Sequence, residues 1–138
     1  MAVAKWATPS SRSSSIVTTE LDSLAAASES IPVTYDNSSN KNLYGAVTVK
    51  LGTFDPAAGA YISLRVNISD GTDTATAKFA GDVYTASVDD ASGAKVVIFP
   101  MVRLYPFSLR ISVINNASTS FNAADNDIYI TPYNEDVS

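Results

Sequence analysis

AYISLRVNI, residues 60–68, decides the fold. Ala60, Ile62, Leu64, Val66 and Ile68 fall on one side of an extended chain, and Tyr61, Ser63, Arg65 and Asn67 on the other. Successive side chains of a strand point to opposite faces of a sheet, so this alternation demands a strand with one face in a core. A helix would scatter the same five aliphatics around its circumference. Moving outward, residues 43–51 (LYGAVTVKL) repeat the pattern: Leu43, Val47, Val49 and Leu51 on one face, Tyr44, Ala46, Thr48 and Lys50 on the other. Gly45 interrupts the apolar row, which marks a bulge or a close backbone approach. Residues 107–114 place Phe107, Leu109, Ile111 and Val113 inward and Ser108, Arg110 and Ser112 outward. The run KVVIF at 95–99 has little alternation and is expected to be covered on both faces.

Turn chemistry separates these runs. DPAAG at 55–59 offers Pro56 to the second turn position, SDGTD at 69–73 is a tight polar connection, and DDASG at 89–93 turns again. A weaker strand or two is expected between Lys78 and Val88, and a last strand at 128–133. Pro100 and Pro106 bracket a short piece, and Pro132 suits a strand end or a sheet edge. TTELDSLAAA at 18–27 reads as a helical turn, with Thr19 and Asp22 as a capping pair, or as an irregular lead-in. No amphipathic helix is long enough to cover a sheet. Six to eight short strands at hairpin spacing make an all-β protein, an antiparallel β-sandwich, and leave jelly-roll and immunoglobulin-like Greek-key connectivity both open. Residues 18–138 form one domain. Residues 1–17, rich in Ser, Thr, Ala and Pro, are expected to be an extended, flexible N-terminal arm whose removal through Ser15 leaves the domain folded.

The 138 residues contain no histidine and no cysteine. Ser-His-Asp and Cys-His catalysis cannot be built, no G-x-S-x-G elbow or Gly-rich phosphate loop is present, and no cofactor is expected. An enzyme is therefore not expected. The pairs Asp70 with Asp73, Asp89 with Asp90, and Asp125 with Asp127 are explained by the preference of Asp for turns, and none has EF-hand spacing. Nine basic against fourteen acidic residues give a net charge of −5, with the cations scattered, so a nucleic-acid partner is not expected. No stretch approaches the length of a membrane span, and residues 1–15 lack the apolar core of a secretory signal, which points to synthesis in a cytoplasm.

The candidate partner-interface residues are Trp6, Tyr44, Tyr61, Arg65 and Arg110. Trp6 is the only tryptophan, a strong interface anchor if exposed on an arm, with docking over its own domain as the equal alternative. Tyr44 and Tyr61 sit opposite apolar rows, as do Arg65 and Arg110, so all four face away from the core. Outward tyrosines serve as subunit contacts or as glycan platforms, and ordinary strand filling also accounts for them.

Several segments carry a family resemblance: TTELDSLAAAS, YDNSSN, LYGAVTVKLGTF, PAAGAYISLRV, FSLRISVINNAS and NDIYITPYNEDVS. Their order, a T-E-L-x-S-L lead-in at 19–24, a D-N-S turn at 36–38, strands joined by P-x-A-G at 56–59 and a terminal Y-N-E at 133–135, resembles small structural proteins of tailed bacteriophages. The resemblance runs from Thr18 onward; Ala26 and Ala27 stand where the family often has Asn-Gly, and residues 72–93 depart from it most. It implies a virion component without catalytic residues, foremost a capsid decoration or cement protein. Its implied partners are the major capsid protein and copies of itself. A neck, tail or fibre component is the second reading, and a carbohydrate-binding module gripping host glycan through Tyr44 or Tyr61 is the third.

Overall fold

The computed structural model describes residues 4–69 and 81–137. Ten strands follow in order: β1 (Ala4–Trp6), β2 (Ser28–Glu29), β3 (Val33–Asp36), β4 (Tyr44–Leu51), β5 (Tyr61–Ser69), β6 (Asp82–Ser87), β7 (Lys95–Arg103), β8 (Ser108–Asn115), β9 (Asp127–Tyr133) and β10 (Glu135–Val137). They form an antiparallel sandwich. One sheet has the order β7-β4-β9; the other runs β8-β5-β6, with β2 and β3 sharing the outer edge of β8. The inward rows named from alternation meet between the sheets. Ile62, Leu64 and Val66 face Val47, Val49 and Ile130, together with Leu109, Ile111 and Val113, and each is at most 1% exposed. Phe54 and Phe121 close one end of this core edge to face, with ring centroids 5.3 Å apart.

The arm completes the smaller sheet. Amides of Ala7, Ser10, Ser13 and Ile16 donate to the carbonyls of Asn134, Pro132, Ile130 and Ile128 at 2.8–2.9 Å. In return the Ser13 and Ser15 hydroxyls accept the amides of Ile130 and Ile128, at 2.9 and 3.3 Å. Position 132 is a proline and has no N–H to satisfy. Each step takes three arm residues for every two of β9, so hydroxyls stand in for the backbone carbonyls a regular strand would supply. The segment expected to be a flexible arm is thus an irregular edge strand, and past Asn134 its pairing continues as the β1–β10 ribbon.

Counting the arm as the first strand, the pairings nest: arm with β9, β3 with β8, β4 with β7, β5 with β6. First pairs with last, second with next to last, down to a hairpin at the centre. That nesting is the jelly roll, and it resolves the connectivity that alternation left open.

Several local expectations are corrected. Of the two readings of residues 18–27 the irregular lead-in holds and the helical turn does not, because Ser23 and Ala27 take positive φ (56° and 57°), which a helix cannot continue. The Glu20 carboxylate, rather than Thr19, caps the amides of Thr18 and Thr19. Those bonds hold it below the usual carboxylate range. Phe107 lies just before β8 and is exposed. Gly45 marks both features expected of it: the β4–β7 register shifts between Gly45 and Val47, and a Cβ there would lie 3.0 Å from Ile130. The region around Phe79 and the turn residues Asp70 and Asp73 lie outside the described residues.

The largest correction concerns KVVIF. β7 runs on through Pro100 to Arg103, with Lys95, Val97 and Phe99 buried and Val96 and Ile98 exposed. The run is apolar on both sides although only one side faces the core.

Candidate functional site

That exposed side belongs to the outer face of the smaller sheet. Register sets its rows: Val96 beside Lys50 and Asp127, Ile98 beside Thr48 and Tyr129, Arg103 beside Tyr44 and Tyr133. Between 45↔102 and 47↔99 the strand β7 carries one extra residue, which turns Met101 outward beside Pro100. Val96, Ile98 and Met101 are 59%, 53% and 50% exposed, and Trp6 is 54% exposed. Four large apolar side chains are therefore left open on one face of a small protein, where scattered single residues would be ordinary.

The aromatic end is built from three elements. Tyr44 and Tyr133 are cross-strand partners and stack with centroids 5.6 Å apart. Trp6, brought in by the β1–β10 ribbon, meets both edge-on at 5.8 and 5.4 Å. Such pairs contribute about 0.5–1.5 kcal/mol each beyond area burial, so the arm's tryptophan clamps the ribbon onto the sheet. The Tyr133 hydroxyl donates to the Pro100 carbonyl at 2.8 Å. Desolvation, with Tyr44 adding to it, raises the Tyr133 phenol above its ordinary value. Beside these rings lies an open groove of about 520 Å³ lined by Trp6, Pro9, Ala46, Pro100, Met101 and Tyr133, with Ala7 and Thr131. Further along the face, in the row of Ile98, the Arg12 guanidinium sits 3.8 Å above the Tyr129 ring, a cation–π contact that pins the arm across β9.

The five residues expected at an interface divide between the two faces. Trp6 and Tyr44 come together here. Tyr61, Arg65 and Arg110 lie on the outer face of the larger sheet. There Tyr61 is 43% exposed, and Arg110 stands opposite Thr34 and Asn67. Arg65 is engaged within the chain: its Nε donates to both Glu29 oxygens at 3.2 Å. Sequence reading missed Val96, Ile98, Met101 and Tyr133 as a group. The available signal was the broken alternation of KVVIF, which marks either double burial or an apolar outer face.

Among the described residues no three or more of Asp and Glu gather where a metal ion could be held. Asp89 accepts from Lys95 Nζ at 2.9 Å and from the Ala91 amide at 3.0 Å, loop bonds that lower its carboxyl. Asp127 stands opposite Lys50. No family model, curated protein or solved structure matches this chain.

Proposed function

We propose that this chain is a structural component of a tailed-bacteriophage particle, foremost a decoration or cement protein of the head. The observation that carries the reading is the apolar outer face of the small sheet, an adhesive platform on a rigid two-layer scaffold. Its support is twofold. The segments that resemble phage structural proteins form the sandwich itself, and the exposed side chains sit where a neighbour can cover them. A cement protein works by adding modest contacts, roughly 800 Å² per partner, repeated over a shell. Such a role needs a stiff body and a sticky face, and it needs no catalytic group.

The glycan-binding reading draws on the Trp6–Tyr44–Tyr133 cluster, but a sugar site also needs polar groups aimed at its hydroxyls. The groove supplies Thr131 and a Tyr133 hydroxyl already engaged by Pro100. The test is the copy number of this chain relative to the major capsid protein, by quantitative mass spectrometry of purified particles. Near-stoichiometric abundance is expected. A ring-like minority would move the protein to the neck, tail or fibres, and absence from particles would overturn the reading.

A further inference from the structure

Reading the outer face of the small sheet as an assembly interface leaves open what covers it. We infer that the cover is a second copy of this chain, packed face to face across a two-fold axis, with Ile98 and Met101 at the centre of the contact and Trp6 covered at its aromatic end.

Area is the first argument. The face spans β7, β4, β9 and the arm, four columns at about 4.8 Å spacing, along a strand of nine residues at about 3.3 Å each. That is about 550 Å² in flat projection, and more once side-chain relief is counted. A stable pair needs about 800 Å² per partner, so this one face nearly suffices.

Charge is the second. The chain carries −5, so two copies repel wherever their ordinary surfaces approach. This face carries Arg12, Lys50 and Arg103 against Asp127 and Glu135, one net positive charge of mixed sign around an apolar centre. It is a surface on which self-apposition meets a smaller like-charge barrier than the chain's average surface would impose. A two-fold contact also requires only that the patch be complementary to itself, which an apolar centre with a rim of both signs satisfies.

Pairing along the β7 edge, another way a second copy could bind this sheet, is blunted by Pro100 and by the bulge at Met101. Both are devices that stop strand addition.

The test is sedimentation equilibrium of the full chain from about 1 to about 500 µM, a range that brackets a dissociation constant near 10 µM. A monomer–dimer equilibrium is expected, with Trp6 emission shifting to the blue as concentration rises. Ile98→Glu and Met101→Glu should each weaken association at least about tenfold while the melting temperature is held. The emission shift reads the wild-type chain alone, so a variant that folds poorly does not blunt the test. A monomer throughout the range would overturn the inference, and so would a dimer indifferent to Ile98→Glu or lacking the emission shift. A monomer still abundant in particles sinks this inference and spares the virion reading; a dimer absent from particles does the reverse.

Discussion

The two outer faces of the sandwich are made of similar strands and reach opposite ends. On the larger sheet, Glu29 accepts from Arg65 and from the Ser112 hydroxyl at 2.8 Å, which ties β2, β5 and β8 together. Ser63 and Thr85 share a hydrogen bond at 3.0 Å, and Asn116 donates to Ser63. Its polar groups answer one another, to the point that Ser63 and Ser112 are buried on a nominally outer face. The smaller sheet leaves Val96, Ile98 and Met101 open. The larger face is closed mainly by its own polar pairs, with Tyr61 and Val83 left exposed; the smaller one leaves its apolar centre uncovered. Stability is therefore expected to reside in the first, and association in the second.

The sharpest way to break the contrast is to remove the arm. Starting the chain at Val17 deletes six hydrogen bonds to residues 128–134 and the Trp6 clamp, and bares a strand edge. At about 0.5–1 kcal/mol per bond the loss is about 3–6 kcal/mol. Thermal unfolding should show a collapse of cooperativity together with aggregation, and an unchanged melting temperature would return the arm to a mere tether.

Next comes Glu29→Ala, which strands Arg65, a side chain only 16% exposed, and the Ser112 hydroxyl. The expected cost is about 1–3 kcal/mol in denaturant titration, with self-association untouched. Ile98→Thr is the converse: a β-branched residue at an exposed site, within about 0.5 kcal/mol of wild type in the same titration, yet weaker in self-association.

The smallest effect is Tyr133→Phe. Because burial lifts the folded phenol above its ordinary value of about 10, the folded state holds that proton more tightly than the unfolded chain. Its contribution is therefore present below pH 10 and lost as pH rises through the raised value. Melts across this alkaline window should fall more steeply for wild type than for the phenylalanine variant.

How much of this the sequence disclosed follows from what each element is made of. β5, β4 and most of β8 alternate, because one side meets a core and the other meets water or polar partners, and their inward rows were legible residue by residue. The arm was not. Its bonds come every third residue against every second of β9, and serine hydroxyls do the accepting, so no period survives in the sequence. β7 misled for a different reason. Burial and an uncovered apolar face write the same letters, and only coordinates separate them. Trp6 and Tyr44 were picked out singly from residue type, but their meeting with Tyr133 depends on a ribbon joining the two ends of the chain. Arg65 looked free because its partner Glu29 lies 36 residues away.

The nested pairing also imposes an order in time. Residues 7–16 take their cross-strand hydrogen bonds from residues 128–134, so this segment can be seated only after those residues have been made. Every jelly-roll pair outside the central β5–β6 hairpin encloses another pair, and closing such long loops is what slows folding. Until that final closure the β9 edge is bare and Trp6 lacks its contact with Tyr133. The arm laid along β9 is therefore the last part of the sandwich to close.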